Sequence, residues 1–183
     1  MFSLHIDTAE TWRGGQNQVL LTVDGLRSIG HRAALVAHPD GELRRRAAEG
    51  LELIPIASRS EMDLAAAWKL LRVIRRLSPD VVHAHDAHGV AMAGLALSLG
   101  AGAAKAAEPP LVVSRRVDFR LRGNVGTRWK YGRAAVIVAI SRAVARVLEE
   151  SGVDPARVRD ACRGDRPVNV DSIGRSPRQA SRL

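Results

Sequence analysis

Aromatic residues are scarce in this chain, with three Trp, two Phe and one Tyr among 183 positions. Cysteine is scarcer, Cys162 being the only one. A lone thiol excludes an internal disulfide and fits a reducing cytosol. Long apolar runs are missing as well. The longest weakly polar stretch, Gly89 to Ala104, is rich in Gly and Ala and falls short of the roughly 20 residues that a bilayer span needs. No basic segment precedes the first apolar residues, which begin at position 2, so no secretory signal is expected. Lysine is nearly absent too: of 28 basic residues, all but Lys69, Lys105 and Lys130 are arginines.

What is present is a strong positive balance, +9 at neutral pH. Arginine favours bidentate contacts to phosphate and carboxylate. Nucleic acid is not the expected partner all the same, because the basic residues are scattered through the chain with no aromatic-basic stacking pattern. The excess fits a solvated helix surface, with attraction to anionic lipid, better than it fits DNA or RNA. The apolar share is ordinary, so the core must rest on Ala, Val, Leu and Ile.

Hydrophobic periodicity predicts alternating strands and helices. Strands are expected at 2–6, 32–37, 51–56, 80–85, 111–114 and 134–139, and helices at 16–28, 42–49, 64–77, from Asp86 or Ala87 to Leu99, and 142–151. Gly30 and Ser78-Pro79 are stop signals, and Asp63 and Ser141 are caps. A flexible Gly/Ala segment follows Leu99, and a basic loop from Arg115 to Arg128 leads to Trp129-Lys130-Tyr131. Short apolar strands between helices specify a doubly wound parallel α/β sheet, Rossmann-like in kind. Ligands of such sheets bind at the carboxyl ends of the strands. That rule selects Thr11–Gln16, His85–His88, Ser114–Phe119 and Ser141-Arg142.

Each selected place carries a chemistry and a plainer alternative. Gly14-Gly15 sits at a strand-to-helix turn, where a ligand can approach the backbone and meet the N–H groups of a helix N-terminus. Phosphate is the favoured ligand there; the alternative is a turn that merely needs glycine. The pair is neither a full dinucleotide fingerprint nor a Walker A loop. His83-Ala84-His85-Asp86-Ala87-His88 has the look of a metal cluster, but its Asp comes one residue too early for the H-x-H-x-D-H pattern. No metal is expected. Period two puts His83 and His85 on one side, with His83 packed under a helix and His85 and Asp86 at the strand end, within reach of a substrate hydroxyl. Of Arg115 and Arg116, one can face the cleft as a phosphate or carboxylate clamp. Ser141 reads as a helix cap rather than a nucleophile, since no G-x-S-x-G elbow surrounds it. No catalytic residue is assigned, and Cys162 has no role.

The order W-R-G-G-Q, D-V-V-H-A-H-D, P-L-V-V-S-R-R-V-D-F and V-A-I-S-R-A-V resembles the N-terminal half of a GT-B glycosyltransferase of the retaining family 4, over about residues 2–159. The resemblance implies that residues 1–159 form an acceptor-side domain of a two-domain enzyme. That enzyme would move a sugar from a nucleotide-sugar donor to a glycan acceptor, a cell-envelope glycan among the candidates, with no metal cofactor in most members. Gly14 and Gly15 would approach the donor diphosphate. His85, Asp86, Arg116 and Ser141 would line the substrate cleft, although relatives often carry His where Arg116 stands. The second domain that supplies the other donor contacts is expected to be missing or separately encoded, which would leave the chain inactive alone and the helix at 142–151 partly bare. The alternative is a non-catalytic anion-binding module or half of a split enzyme. Residues 160–183 lack apolar periodicity and are expected to be a disordered or out-of-frame tail: one permitted codon choice for Asp160–Pro167, read one base later, gives Thr-His-Ala-Val-Gly-Ile-Asp, close to the family's V-x-N-G-V-D-like segment. The working location implied is the cytoplasm, at the inner face of a membrane.

Overall fold

The first strand sets the plan. β1 (Phe2–Asp7) is buried along its whole length, and parallel neighbours flank it on both sides. In a computed structural model, which describes residues 1–47, 49–101, 108–117 and 125–161, seven parallel strands form one sheet in the order β3-β2-β1-β4-β5-β6-β7. The others are β2 (Arg32–Ala37), β3 (Glu52–Pro55), β4 (Val81–Ala84), β5 (Leu111–Arg115), β6 (Ala134–Ala139) and β7 (Val158–Asp160). The order reverses direction at β1, where the chain crosses over to β4. That is the switch point at which such sheets open a crevice.

Right-handed crossovers place the helices on both faces. α1 (Gly14–Ser28) and α2 (Glu42–Arg46) cover one face, where Val19, Val23 and Leu43 pack on Leu35, Ala37 and Leu51. α3 (Leu64–Leu77), α4 (Ala87–Gly100), α5 (Val125–Gly132) and α6 (Arg142–Glu150) cover the other. There Leu4, Ile6, Val82, Ala84, Val113 and Ile137 meet Leu70, Met92, Tyr131 and Leu148 in one core. Fully burying an aliphatic side chain of this size contributes about 1.5–3 kcal/mol.

Local chemistry fixes the helix ends. The Asp63 carboxylate accepts from the Ala66 N–H at 2.9 Å to start α3. α3 stops at Ser78, which takes a left-handed conformation (φ 47°) just before Pro79. α4 packs between α3 and α5 and is buried over most of its surface. Small residues make that possible: a Cβ on Gly94 would already touch the Trp129 ring at 3.6 Å.

The structure departs from the sequence expectations in three places. The basic segment after β5 is helical from Val125, where a loop was expected, and it buries Tyr131 in the core. A seventh strand forms after a 3-10 turn at Pro155–Arg157, pairing Val158 with Ile137 and Asp160 with Ala139. It carries the sheet past residue 159, and the Ala161 N–H donates to the Ala139 carbonyl at 2.8 Å. Third, α6 turns Val144 and Leu148 into the core and leaves Arg142, Ala143, Arg146, Glu149 and Glu150 outside, so its outer face is polar rather than apolar. The Gly/Ala segment at 102–107, Asp118-Phe119 and the tail from Cys162 onward lie outside the described residues.

Candidate functional site

Parallel strands in register point equivalent residues the same way. His5 pairs with Leu35 on one side and with His83 on the other, and His83 pairs with Val112. Period two then puts Ser3, His5 and Asp7 of β1, His83 and His85 of β4 and its exit, and Ser114 and Arg116 of β5 and its exit on the face that α1 covers. A polar stripe thus crosses the sheet interior and ends beneath the N-terminus of α1.

At that end stand Asp7, Arg116, Gly14 and Gly15. Arg116 Nη1 donates to the Gly15 carbonyl oxygen at 2.8 Å, and Arg116 Nη2 donates to His85 Nδ1 at 2.8 Å. The same guanidinium stands 3.9 Å from the Asp7 carboxylate, whose side chain has no solvent exposure. Gln16 Nε2 donates to both Asp7 oxygens, at 3.0 and 3.1 Å, and the Ala9 N–H donates to Oδ1 at 3.2 Å. Burial, with the Asp86 charge second, raises the Asp7 pKa to about 6 against the pull of these donors. Burial also draws the Arg116 pKa down, with Asp7 and Asp86 acting the other way. Among the described residues nothing takes the N–H groups of Gly14 and Gly15. A Cβ on Gly14 would meet open space, whereas one on Gly15 would lie 2.9 Å from Arg116 Nη1. A side chain on Gly15 would therefore obstruct the crossing Arg116, whereas Gly14 faces open space.

His5 and His85 are buried partners of this corner, and His83 is half-buried beside them. His85 Nε2 and His5 Nδ1 are 3.0 Å apart, and His5 Nε2 lies 3.0 Å from Ser3 Oγ. His83 Nε2 bonds Ser114 Oγ at 2.8 Å, and its ring lies on His85 with centroids 4.0 Å apart. Desolvation pushes His5 down to about 4, His83 to about 3 and His85 well below the ordinary 6.5. The three imidazoles bring nitrogen atoms within 4.8 Å of one another and are, among the described residues, the group that could hold a metal. The His83 and His85 rings are tilted 31° to each other. His5 and His85 share a hydrogen bond.

The expected cleft residues are therefore brought to one strand edge, but in different states. Gly14, Gly15 and Arg116 meet. His85 is buried with both ring nitrogens engaged, instead of facing a substrate hydroxyl. Asp86 is engaged too: its carboxylate caps α4 at the Gly89 N–H (3.1 Å) and takes the Thr8 N–H (3.1 Å) and hydroxyl (2.9 Å). A Cβ on Gly89 would collide with that carboxylate. Ser141 caps α6 through the Val144 N–H at 3.3 Å. Asp7 and His5 escaped the sequence reading. The strand-end rule that selected Gly14-Gly15 also points to Asp7, and His5 is a lone imidazole in an apolar strand, in phase with Ser3 and Asp7.

A family model for Glycosyltransferase Family 4 matches residues 12–164. No curated protein matches the chain in sequence. Among solved structures, HepE of Anabaena in complex with UDP-glucose is similar, with a TM-score of 0.69 and 14% identity over 87% of this chain and 43% of that one. A glycosyltransferase from Rickettsia africae gives 0.67 and 17% over 97% of this chain and 47% of that one. The lipopolysaccharide outer core galactosyltransferase WaaB gives 0.65 and 10%, over 86% and 44%. At these identities the likeness is one of fold, and the chain spans less than half the length of each structure.

Proposed function

Because the chain belongs to glycosyltransferase family 4, we propose that it forms the acceptor-side half of an enzyme that transfers a sugar from a nucleotide sugar to a glycan acceptor. The observation that carries this reading is the Gly14–Gly15–Arg116 corner, with open space over Gly14, unpaired N–H groups at the start of α1 and a guanidinium latched across Gly15. A helix N-terminus beside an arginine suits a diphosphate. HepE, solved with UDP-glucose, supports a nucleoside diphosphate sugar as the donor. This corner is one wall of a cleft. The other wall would come from a second domain, in line with a match to under half of the similar chains. Val117 and Ile140, 43% and 44% exposed at the same strand edge, suit a face that such a domain covers.

The acceptor in this reading is a cell-envelope glycan presented at the inner face of a membrane. The outer face of α3 supports that placement. Met62, Leu64 and Trp68 are exposed at its N-terminal end, the end on the site's side of the sheet. Arg72 stacks on Trp68 at 4.9 Å, and Lys69, Arg72, Arg75 and Arg76 line a surface groove. Apolar and aromatic side chains beside a cationic stripe suit an anionic lipid surface. No helix among the described residues is long and apolar enough to cross a membrane.

Titration of the chain with UDP-glucose, followed by amide shifts, tests the donor wall. Shifts centred on Gly14, Gly15 and Arg116 with weak, roughly millimolar affinity are expected, since half of a cleft provides half of its contacts. Equal shifts with pyrophosphate and with UDP-glucose would favour a plain anion-binding module. No shift at the corner with either would defeat the reading. Co-sedimentation with phosphatidylglycerol vesicles, lost in Trp68→Ala and at high salt, tests the membrane face.

A further inference from the structure

We infer that His85 and His5 are positioning residues for Arg116: a one-way hydrogen-bond chain fixes both as neutral Nε2–H tautomers, and so holds the guanidinium across Gly15 at the mouth of the site. Arginine donates and never accepts, so His85 Nδ1, 2.8 Å from Arg116 Nη2, must be the acceptor. The proton of His85 then sits on Nε2 and points at His5 Nδ1, 3.0 Å away. His5 Nδ1 accepts, which leaves its own proton on Nε2, facing Ser3 Oγ at 3.0 Å. The Ser3 hydroxyl donates onward to the Arg32 carbonyl oxygen at 3.4 Å. Moving either proton to Nδ1, or adding a second one, would set two N–H groups against each other. Polarity thus runs from β5 across β4 and β1 to β2, and no step can be reversed alone.

Among the described residues, the titratable groups facing this chain are His83, Asp7 and Asp86. His83 lies on His85 and bonds Ser114, while Asp7 and Asp86 stand on the Arg116 side. The neutral imidazoles agree with their depressed pKa values. The chain does two things at once. It satisfies four polar groups in the sheet interior, and it keeps a neutral acceptor, not a second cation, behind Arg116. The inference deepens the reading of this corner as a diphosphate wall and rests on it for the role of Arg116, but the tautomers can be read without any ligand.

Long-range 15N–1H NMR of the imidazoles in the full chain gives the first test. His5 and His85 should both show Nε2–H and stay unprotonated from pH 5.5 to 8. An Nδ1–H form at either residue, or a titration midpoint between 6 and 7, would overturn the inference. In Arg116→Leu, the nitrogen shifts of His5 should move although it does not touch Arg116; unmoved shifts would also overturn it. Pyrophosphate affinity gives the second test. His85→Phe should weaken binding about tenfold, the worth of one bond to a charged group. His85→Gln should recover most of the loss, because its amide oxygen accepts from Arg116 while its N–H donates to His5. Wild-type affinity in His85→Phe, or no rescue by Gln in a folded variant, would remove the positioning role. Failure of the wild type to bind pyrophosphate or UDP-glucose would defeat the diphosphate wall instead, and leave the tautomers to be decided by NMR.

Discussion

Neighbouring residues of β1 live in opposite worlds. Leu4 and Ile6 face α4 inside an apolar core with no exposed surface. His5 and Asp7 face the α1 side, equally buried, inside a network of hydrogen bonds. Both faces exclude water, yet they do so by different means. The apolar face gains from every methylene it hides. The polar face gains little in stability, since each buried group must recover in partners what it loses in hydration. What it gains is direction, because hydrogen bonds fix where Arg116 points while aliphatic packing would not.

Substitutions on the two sides of one strand sharpen this contrast. Leu4→Ala should cost about 2–5 kcal/mol in urea unfolding, the usual toll of a cavity in a packed core, with the imidazole tautomers unchanged in the folded fraction. A cost below 1 kcal/mol would mean that the face is loosely packed.

Acidification should strike the polar face alone. Unfolding returns each imidazole to its ordinary 6.5, so between pH 6.5 and about 4 for His5, or about 3 for His83, the unfolded chain binds more protons. The stability held by the neutral imidazoles is complete above pH 6.5 and lost as pH falls through that window, at about 1.4 kcal/mol per unit for each group. Asp7 works the other way: raised to about 6, it stabilises fully below 3.8, and that contribution is lost as pH rises through 6. Three imidazoles against one carboxylate give a net loss of a few kcal/mol between pH 7 and 5. A flat melting temperature over that range would contradict the buried neutral state.

Asp7→Asn should have a smaller effect of opposite sign. The amide can still accept from Gln16 and carries no charge to bury, so stability at pH 8 should rise by roughly 1 kcal/mol, while pyrophosphate binding changes as the anion's competitor for Arg116 disappears. Lower stability at pH 8 would show that the Asp7–Arg116 attraction outweighs the burial cost. The smallest stability effect belongs to Gly14. Gly14→Ala should stay within about 1 kcal/mol of the wild type, since its Cβ meets nothing, whereas Gly15→Ala should cost about 1–3 kcal/mol, because its Cβ meets the Arg116 guanidinium and moving that group leaves the buried His85 Nδ1 without its donor. They should part in binding, with Gly15→Ala displacing the guanidinium and Gly14→Ala narrowing the approach. Loss of stability in Gly14→Ala would show that the space above it is not free.

Most of the fold was legible because its strands are short apolar runs and its helices begin at Asp63, Asp86 and Ser141, each of which does cap. β7 was not, since Val158-Arg159-Asp160 buries one apolar residue and owes its strand form to β6 beside it. α5 hid because its inward residues come late, at Trp129 and Tyr131, after a run without periodicity. In the site, strand ends announced Gly14, Gly15 and Arg116. The engagement of His85 and Asp86 was not readable, because His5 and Thr8 reach them across 80 and 78 residues of sequence. Local pattern shows that a polar residue stands at an edge; only the neighbouring strand shows whether it is already taken.

The three tryptophans divide the molecule in a practical way. Trp12 lies in the loop before Gly14, under the Arg46 guanidinium at 4.4 Å. Trp68 rides the outer face of α3 under Arg72. Trp129 rests against Gly94 of α4, beside the core. Each indole is therefore a built-in optical reporter for one layer of the protein. A chain that keeps a single one, with Phe at the other two positions, would let fluorescence follow ligand arrival, surface docking or unfolding one at a time, with no added dye.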